Sequence, residues 1–529
     1  MSDLHYFRAD WIEKTDERLV VDVCVYGGSS AGVIAGVEAV RQGKSVVVLQ
    51  PGKFIGGLTT GGLGWTDYGQ KRVIGGLSRQ FYRDVGKHYG VEDEFHFEPH
   101  VAAAVYDRWI REHNVPVRLC QYLERVEMEG RRIKAITLMG GLRVEAKVFI
   151  DATYEGDLLA KAGVSYTVGR ESNDTYGETL NGIQVRDKHQ FSHPVDPYVV
   201  EGDPSSGLLP QIEAEDLSKK QGQGDHRVQA YCFRMCMTDD PSLKIDWPKP
   251  DGYDPRQYEL ARRWFAGEKD KYNELLDPNA PADAAPRKFD VFPHRTPGGY
   301  RKTDTNNHGP ISSDFIGANW SWPEACYELR EKIFQAHVTY QRGFYWFMAN
   351  GEVPDRYRNA FRTWGLARDE FTTSENWPHT LYVREGRRMI GDYVITEHDC
   401  RGQRKPEDPV AMGSYAMDSH NCTRFVKIEN GKARVLNDGD VQVGGLPPYP
   451  ISYRCIVPKR GECENLLVPV CLSSSHIAYG SARMEPVFMA LGQTAAMAAS
   501  AAIDAGCIVQ DVNYPKLRAK LLDAGQVIE

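Results

Sequence analysis

The 529-residue chain has no run of about 18 or more apolar residues, so hydropathy predicts no membrane-spanning helix. Its opening, MSDLHYFRADWIEK, lacks the basic and apolar regions of a secretory signal, which predicts a cytoplasmic protein. It also lacks an excess of positive charge. Lys and Arg number 64 against 72 Asp and Glu, a net charge of -8, which argues against nucleic acid as a partner. The eleven cysteines form no paired C-x2-C pattern. The closest spacings are Cys232-x3-Cys236 and Cys455-x7-Cys463, and no histidine cluster completes either, so no metal site and only buried reduced thiols are expected. There is no internal repeat and no low-complexity tract.

What is present begins at Val21. Val21–Tyr26 is a valine-rich run suited to a central parallel strand, and Ser30–Gln42 has helical periodicity ended by Gly43. Ser45–Leu49 reads as a second buried strand, completing a βαβ unit of about 30 residues. Between the first strand and the helix lies a G-x-G-x-x-G-like turn. Gly27 permits the tight turn, and Gly32 lets helix and sheet approach closely, while the helix N-terminus favours a phosphate. Ser29 replaces the middle glycine; it is small, and its hydroxyl can donate to a phosphate oxygen. Gln50 replaces the usual ribose-binding acid. Its carbonyl can accept from ribose hydroxyls, and it brings no cation for a 2′-phosphate, so NADP is disfavoured while FAD and NAD remain.

The following stretch, GKFIGGLTTGGLGWTD, offers many backbone donors and little side-chain bulk, a surface against which a flat flavin ring can lie. With this stretch the chain resembles the FAD-dependent oxidoreductases related to the succinate dehydrogenase and glutathione reductase type of flavoprotein. More narrowly it is similar to a bacterial group, some members of which carry a "xanthan lyase" label. The likeness extends through FIDATYEGDLLAKAG (149–163), VQAYCFRMCMT (228–238), LYVREGRRMIGDYVIT (381–396), MGSYAMDSH (412–420) and SSSHIAYGSARMEPVFMALGQTAAMAA (473–499).

The resemblance implies an α/β protein. A Rossmann-like FAD-binding domain is assembled from N- and C-terminal segments and carries an inserted, mixed α+β substrate domain. The divisions expected are an extension over 1–20, the first part of the FAD domain over 21–176, the insert over 177–375, and the return to the FAD domain over 376–529. The insert is rich in Pro, Asp and aromatics, with weak periodicity; it holds Trp247, Trp264, Trp320, Trp322 and Trp346, together with Trp364 and, at its border, Trp377. Residues 277–286 read as an exposed loop. Further helices are expected near 76–89 and 99–114, and strands at 117–120, 133–138 and 144–150. A buried strand is expected at 465–470 and a buried helix at 489–502.

The implied FAD contacts are Gly27, Gly28, Ser29, Ser30, Ala31 and Gly32 in the turn, and Gln50, Pro51 and Lys53 after the second strand. Gly56, Gly57, Leu58, Thr59, Thr60, Gly61 and Gly62 follow in the loop. Leu123, Ala152 and Thr153 come from later strands, and His476, Arg483 and Gln493 from the C-terminal motif. No second G-x-G-x-x-G follows a strand, and no C-x4-C or C-x-x-C stands beside the flavin segments. Electrons are therefore expected to leave to oxygen, a quinone or a carrier protein. Covalent attachment of the flavin and oligomeric state stay open.

Dehydrogenation by a flavin requires a base, a pocket that aims the C–H bond, and positive charge to stabilise the reduced ring. His476 is the leading base candidate, with a structural role in the flavin turn as the alternative. Arg483 and the helix start beside it are a candidate source of positive charge; a pair with Glu485 is the other option. Asp418 and His420 form a D-x-H pair in which the carboxylate could orient the imidazole, unless both lie at the surface. Arg234 is either a substrate anchor or half of an ion pair, as are Arg387 and Arg388. Asn306, Asn307 and His308, with the nearby tryptophans, suit a hydroxyl-rich ligand, although tryptophans are more often core. The favoured expectation is oxidation of a small polar substrate at a C–OH centre, such as a sugar derivative. Oxidation of a C–N bond and a binding protein with structural FAD are the alternatives.

Overall fold

The computed structural model describes residues 2–267, 285–287 and 289–529. Most of the expected 277–286 loop lies outside these residues. Strand β1 (Arg18–Tyr26) runs between β2 (Val46–Leu49) and β6 (Arg143–Asp151), parallel to both, with Tyr26 opposite Leu49 on one side and Asp151 on the other. Helix α1 (Ser30–Arg41) connects β1 to β2, as the run of apolar residues between the turn and Gly43 demands. β3 (Val117–Arg118) extends the sheet beyond β2. On the other edge β4 (Leu123–Glu129) and β5 (Arg132–Leu138) form an antiparallel ribbon joined to β6. β4 escapes sequence reading because its LERVEME sequence is mostly charged, as befits an edge strand. Helices α2 (Gly76–Tyr89) and α3 (Pro99–Glu112) pack over the sheet.

The C-terminal segment returns to this unit. Leu466–Leu467 pairs in parallel with Phe149 and Ile150 of β6. The helix Glu485–Ala505 lies against α1 so closely that a Cβ on Gly492 would stand 2.3 Å from the Ala31 carbonyl oxygen. This helix is long and apolar enough to cross a membrane, but 89% of its apolar window is buried inside the protein.

The middle of the chain builds a second core around a five-stranded antiparallel sheet (Phe289–Arg295, Arg301–Thr305, Met237–Thr238, Gly365–Ala367 and Lys244–Ile245). The 24-residue helix Tyr327–Asn350 packs into this core. Its periodicity is weak in sequence because Gly343, Phe344, Tyr345, Phe347 and Ala349, on different faces, are all buried, and a helix covered on most sides shows no clean polar face. Trp264, Trp322, Trp364 and Trp377 are fully buried, so these tryptophans are core rather than an exposed stacking surface.

The N-terminal extension is tied down against the second core. Leu4 and Phe7 are buried, and Glu331 on the long helix accepts from the amides of Tyr6 (2.7 Å) and Phe7 (3.0 Å) and pairs with His5 (2.7 Å). Arg18 to Val20, also placed in the extension, belong to β1.

Candidate active site

A cleft opens where the C-terminal ends of β1, β2 and β6 meet the second core. Gly27, Ser29, Gln50, Pro51, Lys53, Gly57, Ala152 and Thr153 form its floor, and His379, Leu381, Val383, Trp322 and Phe334 face them. Ligands bind at this position in open α/β sheets because the loops diverge there and helix N-termini point outward. Gly27 takes φ +104°, which only glycine adopts without strain, and a Cβ there would meet the Ala152 carbonyl carbon at 2.6 Å. Gly32 is equally required, since its Cβ would fall 1.9 Å from the Gly27 carbonyl oxygen.

The two off-pattern residues behave differently from expectation. Ser29 donates its hydroxyl to the Ala152 carbonyl at 2.7 Å and caps α1, so its proton is not spare for a phosphate. The Gln50 carbonyl oxygen accepts from the Gly28 amide at 2.6 Å, which leaves the side-chain NH2, a donor, as its free group. Gln50 therefore braces the turn through this bond. Leu123 and Gln493 stand apart from the cleft. Leu123 packs in the core behind the sheet, with its amide donating to the Tyr26 hydroxyl. Gln493 joins helices, accepting from the Leu77 amide (2.9 Å) and donating to Glu38 (3.1 Å).

Gly28, Ser30, Ala31 and Gly32 lie in the turn and the first turn of α1, where the leading amides have no partner one turn back. The loop holding Gly56, Leu58, Thr59, Thr60, Gly61 and Gly62 packs under Tyr154 and Thr380, closely enough that a Cβ on Gly57 would meet the Tyr154 hydroxyl at 2.3 Å. Glu485, at the start of the C-terminal helix, gathers the hydroxyls of Ser30, Thr59 and Tyr154. Burial raises its carboxyl above the usual range, opposed by these three donors. One buried carboxyl thus ties α1, the loop and the end of β6 to the C-terminal helix.

Beyond the loop lies a polar network. Leu381 and Val383 line the cleft, so in this extended stretch Tyr382 and Arg384 face the opposite way. Arg384 donates to Asp314 (2.8 Å), and Asp314 pairs with Nδ1 of His420 (2.8 Å). His420 Nε2 is 3.8 Å from Asp418 Oδ2 and has no hydrogen-bond partner among the described residues. The D-x-H expectation is corrected accordingly: Asp314, more than a hundred residues away in sequence, orients His420. Burial, aided by Arg384, lowers His420 to about 4, so it is neutral near pH 7. Burial would raise Asp314, but Arg384 and His420 hold it well below the carboxylate range.

Gln229 accepts from the His420 amide (3.0 Å) and from Arg483 (3.3 Å). Arg483 also donates to the Tyr382 hydroxyl and to the Asp418 carbonyl oxygen (3.0 Å), rather than to Glu485. Gln229 in turn donates to Glu385 (3.0 Å), which holds Nδ1 of His476 at 2.8 Å. His476 Nε2 is engaged by Ser419 (3.1 Å), so both ring nitrogens of the expected base are occupied. Arg234 is half of a buried pair, with Asp304 at 2.6 Å, and Arg388 is held by Glu171 (2.6 Å) and Glu385. Arg387 bridges Asp157 (2.7 Å) and Glu324 (2.9 Å). Asn306 accepts from Arg384 at 3.2 Å, and Asn307 donates its amide to Asn306. His308 lies edge-on to His189.

Sequence reasoning missed Gln229, Asp314, Tyr382, Arg384 and Glu385. Gln229, Tyr382, Arg384 and Glu385 lie within quoted motifs and Asp314 six residues past His308, but only the fold makes them neighbours. Elsewhere Glu98, His100 and Glu370 come within metal-binding reach of one another. The Lys302 ammonium, 3.0 Å from Glu98 and 3.3 Å from Glu370, already supplies the positive charge there.

Residues 22–521 match the family model described as FAD dependent oxidoreductase. The chain belongs to the FAD-dependent oxidoreductase family. No curated protein matches it. It is similar to a flavin-containing monooxygenase from Stenotrophomonas maltophilia (20% identity, 30% of this chain and 44% of that chain, TM-score 0.20). It is also similar to an L-proline dehydrogenase from P. horikoshii (18% identity, 32% and 27%, TM-score 0.19). The chain thus spans less than half of each of these structures. At such scores the likenesses carry no argument, and membership rests on the family model.

The cleft suits the FAD cofactor of this family. The opening of α1 presents amides to an anionic pyrophosphate, and Gly27 and Gly57 keep the floor at backbone level, while Lys53 on the cleft wall is paired with Asp3 at 2.6 Å. The cofactor supplies hydride acceptance; the protein supplies orientation and electrostatics.

Proposed function

We propose that this oxidoreductase dehydrogenates a small polar substrate at a C–OH centre, with His420 receiving the hydroxyl proton. The observation that carries this reading is the Asp314–His420 pair, in which Nδ1 is held at 2.8 Å while Nε2 has no hydrogen-bond partner among the described residues. A neutral imidazole fixed through one nitrogen by a carboxylate is the arrangement that makes the other nitrogen a base. Asp314 fixes the tautomer and stabilises the imidazolium once the proton arrives. FAD, when bound, would supply the acceptor for the hydride of the C–H bond. Arg483, joined to the same corner through Gln229 and standing before the N-terminus of the helix Glu485–Ala505, supplies positive charge for a developing anion. Asp418 beside Nε2 has a side-chain exposure of 16%, which gives a small solute access to that corner.

The test is anaerobic mixing of the holoenzyme with a panel of sugars, sugar alcohols and amines while the visible flavin band is followed. Bleaching by hydroxyl compounds is expected. Bleaching by amines alone would overturn the C–OH assignment. His420→Asn is expected to retain FAD and to slow reduction by about 10²-fold or more. A full rate in that variant would remove His420 from the role.

A further inference from the structure

Glu155 follows the end of β6 and lines the cleft with Gly27, Ser29, Ala152 and Thr153, while the residue is only 8% exposed. Among the described residues no other side chain donates to its carboxylate. The nearby cations are committed elsewhere: Arg330 is bidentate on Asp157 (2.6 and 2.9 Å), and Arg387 reaches Asp157 (2.7 Å) and only the backbone oxygen of Glu155 (3.0 Å). With both neighbouring guanidinium groups spent on Asp157, this cleft-facing carboxylate is a polar position left for a ligand.

The charged and titratable groups around it come from several elements. Asp151 and Asp157 belong to its own segment and Arg330 to the long helix, while Tyr6 comes from the N-terminal segment. Tyr231 and Cys471 complete the set. Burial, opposed by Arg330 and reinforced by Asp157 and Asp151, lifts Glu155 to about 7.

We infer that Glu155 is a proton-dependent contact for the anionic chain of FAD, donating to it when protonated and repelling it when ionised. The inference rests on reading the cleft as the FAD groove. The sign follows from the charges. The pyrophosphate stays anionic throughout, so binding favours the neutral carboxyl. Affinity is then full at low pH and falls as pH rises through the value of the free protein. One added negative charge in a partly screened site weakens binding by roughly tenfold.

The experiment strips FAD from the full-length protein and titrates it back at about pH 6 and about pH 8.5, reading quenching of flavin fluorescence. Wild-type Kd is expected to rise about tenfold between the two. Glu155→Gln is expected to bind equally at both pH values, with the wild-type affinity of the lower one. His5→Gln, which alters another titratable group lining the cleft, is expected to keep the wild-type slope. A wild-type Kd that does not move, a slope that survives Glu155→Gln, or one that disappears in His5→Gln overturns the inference. Lys53→Glu, at a site 34% exposed, places a negative charge on the cleft wall and is expected to weaken binding at both pH values. Unchanged affinity in that variant would overturn the cleft as the FAD groove, separately from the role of Glu155.

Discussion

Mild acid should loosen this protein through histidines that the fold holds neutral, and His337 isolates the effect. Its Nδ1 donates to the Ile333 carbonyl one turn earlier at 2.7 Å, its Nε2 has no partner among the described residues, and the residue is 1% exposed. Burial lowers it to about 4, against about 6.5 in an unfolded chain. The folded protein therefore binds fewer protons than the unfolded chain between these values, and stability falls as pH falls from about 6.5 towards 4. At pH 5 the unfolded state gains about 1.5 pH units of protonation and the folded state almost none, a loss of about 2 kcal/mol. His420 and His476, lowered to about 4 and about 3 by burial, act with the same sign. His100, raised mainly by its hydrogen bond to Glu370, acts with the opposite sign. The assay is thermal melting of the holoenzyme at about pH 7 and about pH 5, for wild type and His337→Gln. The wild type is expected to lose about 2 kcal/mol more than the variant, or roughly 4–8 °C for a cooperative unit of about 150–250 residues. Equal acid-induced losses in the two proteins would refute the assignment of His337 as a buried neutral group.

Other outcomes test how the cofactor domain is assembled. Gly492→Ala should push the C-terminal helix off Ala31, where its Cβ would lie 2.3 Å from a carbonyl oxygen, and should destabilise by about 3 kcal/mol or more with loss of FAD; a normal melt would sink the close-contact reading. Tyr154→Phe removes donors and acceptors at once, since the hydroxyl accepts from the Leu58 amide (2.9 Å) and donates to Glu485 (2.8 Å). It should cost about 1–3 kcal/mol in a denaturant titration, and a change below about 0.5 would show the hydroxyl to be dispensable.

The cofactor fold was largely legible because its signals are local. The valine run of β1, the glycine turn, the Ala-rich face of α1 and the buried strand β2 are contiguous, and each is dictated by near neighbours in the chain. The weaker readings have physical causes. β4 has the composition of a solvated edge, and the helix Tyr327–Asn350 is buried around most of its circumference. At Ser29 and Gln50 the residue types are ones a tight glycine turn accommodates. Their hydrogen-bond capacity, however, is spent inside that turn on Ala152 and Gly28.

The sequence by itself determined that a strand–turn–helix unit would present its glycine-bounded turn to an anionic cofactor, because steric permission and the helix N-terminus depend on adjacent residues alone. Only the tertiary structure decided which polar groups share a site. His420 and Asp418, two apart in sequence, touch less closely than His420 and Asp314, 106 apart. A hydrogen bond depends on distance in space, and in a chain that leaves the first core, builds a second and returns, that distance is set by packing.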